Sequence, residues 1–167
     1  MNTDNIILIG MPGCGKSTVG VVLAKALQYD FTDTDIVIQR KQNKRLHEII
    51  AEVGDSGFRK LENEITSQMT AHHQVIATGG SVIYGRDAME NLKKLGTVVY
   101  LQLSFEDIEE RLGDFSTRGI TMLPGQTLHD LYNERIPMYE QYADLTIDCS
   151  EKRIRHIVLE LREKMGL

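Results

Sequence analysis

The chain has 167 residues, 41% hydrophobic and 26% charged, which suits one globular domain with a sizeable core. Nineteen basic residues against 24 acidic ones leave a net charge of −5, which argues against a nucleic-acid backbone as the main partner. No apolar run could span a bilayer and no signal peptide opens the chain, and the two cysteines, Cys14 and Cys149, suggest free thiols in a reducing, cytoplasmic setting.

Asn5-Ile6-Ile7-Leu8-Ile9 is short, β-branched and apolar, as a buried parallel strand should be. Gly10-Met11-Pro12-Gly13-Cys14-Gly15-Lys16-Ser17 follows and matches G-x-x-x-x-G-K-[ST], the phosphate-cradling P-loop. Thr18 to Leu27 then repeats Val19, Val22, Leu23, Ala26 and Leu27 at helical spacing. The residue types explain the chemistry. Glycines let the backbone curl so that several N–H groups converge on one anion, and the next helix adds the positive end of its dipole. Nucleotide phosphates therefore fall to Gly13, Cys14, Gly15, Lys16, Ser17 and Thr18. Lys16 is the mobile cation for the β and γ phosphates, and Ser17 offers a hydroxyl to Mg²⁺.

Further along, Phe31 to Asp35 reads as a strand ending in two acids, Asp33 and Asp35. Helical segments are expected over 36–42 and 46–53, a break at Gly54-Asp55-Ser56-Gly57, and a resumed helix over 58–70. Gln74 to Thr78 is the third strand, closed by Gly79-Gly80-Ser81, and a helix covers 86–95. Thr97 to Leu103 is the clearest buried strand, with Ser104 as cap of the next helix. Residues 113–126 have little periodicity and read as a mobile loop. A helix over 127–142 is expected to kink or break at Pro137, before a strand at 145–147 and a last helix over 152–165. Five strands alternating with helices imply an α/β fold: a three-layer αβα domain on a five-stranded parallel sheet.

In such a sheet, ligands bind at the carboxyl ends of the strands. The P-loop, Asp33, Asp35, Gly79 and Gly80 should converge there. Asp35 could hold a substrate hydroxyl and accept its proton, and Asp33 could help hold Mg²⁺, directly or through water. The competing reading is that either acid only caps a helix. Arg59 is expected to open a helix, a poor place for a cation, which points to an anionic substrate group. Arg135 lies two residues before Pro137. Residue chemistry alone leaves both arginines open between anion binding and a solvated surface charge. Arg118, in the glycine-containing loop, can deliver a cation to developing phosphoryl charge when the loop closes. The five histidines show no metal-ligand spacing, and His72-His73 reads as surface.

The ordered set of motifs resembles the shikimate kinase family over nearly the whole chain. It comprises Gly-x-Pro-Gly-x-Gly-Lys-Ser-Thr at 10–18, Asp33-Thr34-Asp35, Phe58-Arg59-x-x-Glu62, Gly79-Gly80, Thr117-Arg118 and Arg135-x-Pro137-x-Tyr139. The resemblance implies a P-loop NTPase of the nucleoside-monophosphate-kinase group, a single domain over 1–167. Its substrate-binding helical segment would span about 34–62 and its lid about 113–126. It implies ATP and Mg²⁺, a usually monomeric enzyme, and shikimate 3-phosphate as product on the route to aromatic amino acids. Asp35, Arg59, Gly80 and Arg135 would then bind shikimate, with Gly79 beside them. The two arginines would grip its carboxylate and Asp35 its ring hydroxyls. Lys16 and Arg118 would stabilise the transferring phosphoryl group, Ser17 would ligate Mg²⁺, and Arg111 would lie beside adenine. Two departures stand out. Ser81 replaces the third glycine of a Gly-Gly-Gly run and would add a side chain beside the substrate ring. Gly119 replaces a proline after Arg118, which should loosen the lid. They motivate an alternative, a kinase of the same fold acting on another sugar acid or polyol; a non-catalytic nucleotide-binding protein is the rival from a different class.

Overall fold

A computed structural model describes residues 4–113 and 119–167. The sheet holds β1 (Asn5–Ile9), β2 (Asp30–Asp33), β3 (Gln74–Ala77), β4 (Thr97–Gln102) and β5 (Leu145–Asp148) in the order β2-β3-β1-β4-β5. Every neighbouring pair is parallel, with Ile7 opposite Ile76 on one side and Val98 on the other. All five residues of β1 are buried, because the strand is central and covered on both faces.

The helices are α1 (Lys16–Leu27), α2 (Thr34–Gln42), α3 (Leu46–Ser67), α4 (Arg86–Leu95), α5 (Phe105–Leu112), α6 (Leu128–Tyr142) and α7 (Ile154–Met165). A short 3₁₀ turn at Val82–Tyr84, which periodicity could not reveal, leads from β3 into α4. The main core gathers around β1, β3 and β4. A second, smaller cluster of Ile38, Ile49, Phe58 and Ile65 joins α2 to α3.

Two expectations need correction. First, β2 stops at Asp33, whose Oδ1 accepts the Asp35 N–H at 2.9 Å and caps α2. Asp35 therefore sits in the first turn of a helix and not at a strand tip. The expected break within 54–57 is present, at Gly54 (φ 74°, ψ 173°), where two helical segments of α3 meet across a kink. Second, α6 runs through Pro137 without a break. Its buried residues Leu128, Leu131, Arg135 and Tyr139 share one face, and that packing holds the helix despite the missing N–H.

One glycine fixes how α4 returns to the sheet. A Cβ on Gly96 would lie 2.0 Å from the Asn5 carbonyl oxygen. Gly96→Ala must push α4 away from β1, and we expect a loss of about 1–3 kcal/mol. Thermal unfolding checks this, at about 2–4 °C per kcal/mol for a chain of this size. An unchanged melting temperature would contradict the close approach.

Candidate active site

The P-loop is shaped by three glycines at positive φ: Gly10 (148°), Gly13 (80°) and Gly15 (100°). Gly15 is the N-cap of α1, and no acidic side chain occupies that helix's first turn. The helix dipole is left open to an external anion. Lys16 is 8% exposed, and its Nζ donates to the carbonyl oxygens of Gly10 (2.8 Å) and Met11 (2.9 Å). Ser17 Oγ donates to Asp33 Oδ2 at 2.7 Å. Asp33 is thus both a helix cap and a partner of the P-loop hydroxyl. The two readings of that acid are not exclusive, because its two oxygens do different work.

A cleft of about 550 Å³ opens over this loop. It brings together Gly13, Cys14, Gly15, Lys16, Ser17, Thr18, Asp35, Gly79, Gly80, Arg111 and Arg135 from the expected set. Arg111 Nη1 reaches the Cys14 carbonyl at 3.4 Å. Lys152, Ile154 and Ile157, which sequence reasoning did not single out, also line it. Arg118 and Thr117 lie outside the described residues, as does part of the expected lid. Arg59 does not line this cleft. It lies inside α3, five residues past the Gly54 kink, and not at a helix start. It borders a second depression of about 430 Å³, with Tyr84 and Leu123. Its guanidinium stacks 3.7 Å from the centroid of the Tyr84 ring, and that of Arg135 stands 5.4 Å from the same ring.

Arg135 is 1% exposed, with Nη2 donating to the Thr121 carbonyl (3.0 Å) and hydroxyl (3.2 Å). Tyr139 Oη donates to the Gly80 carbonyl at 2.6 Å, which fixes the turn after β3. Close quarters explain the glycines there. A Cβ on Gly79 would meet Asp35 Oδ1 and Glu62 Oε2, both at 2.8 Å. One on Gly80 would meet Pro12 Cδ at 2.7 Å and Arg135 Nη1 at 3.0 Å.

Two acids in this wall are hard to ionise. Burial, then the neighbouring Asp33 charge, pushes Asp35 up to about 6, against the pull of Lys16. Glu62, 1% exposed, is pushed up to about 7 by burial and by Asp35, with Ser81, Arg135 and Arg59 acting the other way. Glu62 was legible only as part of a motif and had no role assigned to it. Its helical spacing of three from Arg59 was the available signal, because it sets both on one face. Ser81 lines the cleft beside that acid. It is 6% exposed, and its Oγ donates to Glu62 Oε1 at 2.6 Å.

At the opposite, amino-terminal edge of the sheet, exposed His72 and His73 each place Nδ1 against the Asp4 carboxylate. Among the described residues, this is the one group of His, Cys, Asp or Glu close enough to share a metal ion. Cys14 and Cys149 are buried free thiols.

The model of one protein family, shikimate kinase, matches residues 12–166. A shikimate kinase of Bacillus mycoides is 35% identical over 97% of this chain and 98% of its own length. One from Thermodesulfovibrio yellowstonii is 40% identical over 86% of this chain and 84% of its own length. Among solved structures, a shikimate kinase from Acinetobacter baumannii in complex with shikimate superimposes with a TM-score of 0.88. It is 34% identical, covering 98% of this chain and 93% of that one.

Proposed function

The chain belongs to the shikimate kinase family, and on that premise we propose that it transfers the γ-phosphoryl of Mg-ATP to a ring hydroxyl of shikimate. The observation that carries this reading is a single cleft shared by the P-loop amides, buried Lys16, Asp35 and buried Arg135. A phosphoryl donor, a base and a carboxylate anchor are what the reaction needs within one another's reach. The Acinetobacter baumannii relative was solved with shikimate bound, which supports the acceptor.

Asp35 orients the acceptor hydroxyl and takes its proton as the oxygen attacks. A carboxyl titrating near 6 is ionised at neutral pH and still basic enough for that step. Arg135 and Arg59 bind the acceptor's carboxylate, Arg135 from within the cleft and Arg59 from the neighbouring wall. Gly79 and Gly80 let the acceptor approach the backbone. The α1 N-terminus and the amides of Gly13 to Thr18 receive the phosphates, Lys16 follows the γ-phosphoryl, and Arg111 lies on the nucleotide side. Arg118 supplies a second cation from the lid. Ser17 and Asp33 provide the hard oxygen donors that suit Mg²⁺, Asp33 directly or through water, and their 2.7 Å contact supports that assignment. An ion held by these two residues would supply positive charge against the nucleotide's phosphates.

The net charge of −5 supports a small-molecule partner over a nucleic acid. Among the described residues, no helix is long and apolar enough to cross a membrane. We read the protein as a cytoplasmic monomer with a substrate-binding segment at about 34–62 and a lid at about 113–126. The separate α2–α3 cluster supports that segment.

Steady-state ADP release with Mg-ATP tests the acceptor. Shikimate should exceed sugar acids and polyols in kcat/KM. A preference for another acceptor would overturn the assignment, and ATP binding with no acceptor turned over would leave a binding protein. The carboxylate role has its own check. Arg59→Ala should raise the shikimate KM by about 10–100-fold, the worth of a charged hydrogen bond, with kcat within a few-fold. An unchanged KM would remove Arg59 from the acceptor site.

A further inference from the structure

Asp4 stands just before β1, and His72 and His73 stand just before β3, at the edge of the sheet away from the P-loop. Oδ1 of Asp4 lies 2.9 Å from Nδ1 of His72 and 3.0 Å from Nδ1 of His73. One ligand atom from each of the three residues lies within 4.8 Å of the other two. Solvent reaches all three side chains, so an ion can enter and water can complete its shell.

From this geometry we propose that Asp4, His72 and His73 form a surface site for a divalent transition-metal ion of the zinc class. Zinc takes imidazole nitrogen and carboxylate oxygen at about 2.0–2.2 Å in a tetrahedral shell, which sets its donors about 3.3 Å apart. The two separations from Asp4 are already within a few tenths of an ångström of that. Two imidazole donors select against Mg²⁺, which favours oxygen ligands. The site is therefore distinct in ion as well as in place from the Ser17–Asp33 pair.

The backbone is shaped to make this cluster. In an extended chain, consecutive side chains point to opposite faces. His73 departs from that by taking the left-handed region (φ 51°), which residues other than glycine seldom enter. The two imidazole rings then lie 4.1 Å apart, centroid to centroid, with a nitrogen of each on one carboxylate. A plain surface ion pair would need only one histidine and is worth little. The frame around the donors is anchored. Asn5, 1% exposed, donates from Nδ2 to the carbonyl oxygens of Ala71 (3.1 Å) and Leu95 (2.9 Å), and its Oδ1 accepts the Gln74 N–H (3.0 Å). The His73 carbonyl oxygen accepts the Asp30 N–H at 2.9 Å, and the Tyr29 ring stacks 5.2 Å from the His73 imidazole. An ion held here ties the start of β1 to the start of β3 and stabilises the folded chain by mass action.

Three measurements test this. Chelator-treated protein, free of nucleotide, is titrated with Zn²⁺ by calorimetry. One saturable site is expected. His72→Ala, His73→Ala and Asp4→Asn should each weaken it by more than the roughly tenfold that even an outer partner of a metal ligand is worth. In protein labelled with ¹⁵N-histidine, Zn²⁺ should move the two imidazole signals that His72→Ala and His73→Ala remove, and leave those of His47, His129 and His156 in place. Free Zn²⁺ about 100-fold above its Kd should raise the melting temperature by about 5–10 °C, and the rise should shrink in all three variants. Absence of saturable binding would overturn the proposal, as would binding undiminished in the variants. So would Zn²⁺ acting on the other histidines instead, or Mg²⁺ moving the same two signals equally well.

Discussion

Asp35→Asn is expected to lower kcat by about 10²–10⁴-fold, the usual worth of a positioned general base. Asparagine keeps the shape and can still hydrogen-bond the acceptor hydroxyl, but it cannot accept the proton. Nucleotide affinity should be retained, because the P-loop amides and Lys16 are untouched. The fold should not suffer either. Burial and Asp33 make the charged form unfavourable in the native state, as the raised titration near 6 records. Above that pH the native protein bears this cost and the unfolded chain does not, so removing the charge should hold or raise the melting temperature at pH 7. Three readouts together decide it: kcat, nucleotide affinity and thermal unfolding. A kcat within tenfold of the parent, with the other two unchanged, would show that the hydroxyl proton leaves by another route.

Lys16→Met should lower kcat by about 10²–10³-fold, comparable with removing one preorganised donor from a developing oxyanion. The ammonium is already positioned, held by two P-loop carbonyls and nearly enclosed. Exchanging those carbonyls for phosphate oxygens requires only a local swing of the side chain. Methionine matches the length of the stem and fills the space, so the loop should survive. A second effect separates electrostatics from simple damage. Lys16 is one of the charges that keep Asp35 ionised. Without it Asp35 should titrate at higher pH, and the acid limb of the residual kcat should move the same way. A residual rate with an unshifted limb would mean that the two groups do not share a field. Arginine is a poor substitute, since its planar fork cannot occupy the place of a compact ammonium.

The parts of this site that were legible beforehand are those written in local chemistry. The P-loop declares itself because only glycine tolerates φ of 148°, 80° and 100° at its turns. The central strands declare themselves because a strand covered on both faces must be continuously apolar. What stayed hidden depends on distant neighbours. Nothing local says that Pro137 is held within a helix by the buried face containing Arg135 and Tyr139. Gly54 looked like one of several breakers, yet its own backbone alone absorbs the bend. Nothing near Ser81 in the chain says that Glu62, 19 residues earlier, receives its hydroxyl. Tyr84 gave no signal at all, because its place near two guanidiniums is set by Arg59 on α3 and Arg135 on α6.

The miniature cluster of Ile38, Ile49, Phe58 and Ile65 is apart from the large one beneath the sheet. Parting it therefore exposes a handful of aliphatic and aromatic groups, not the interior at large. Loosening of that cluster and melting of the sheet draw on separate sets of buried contacts.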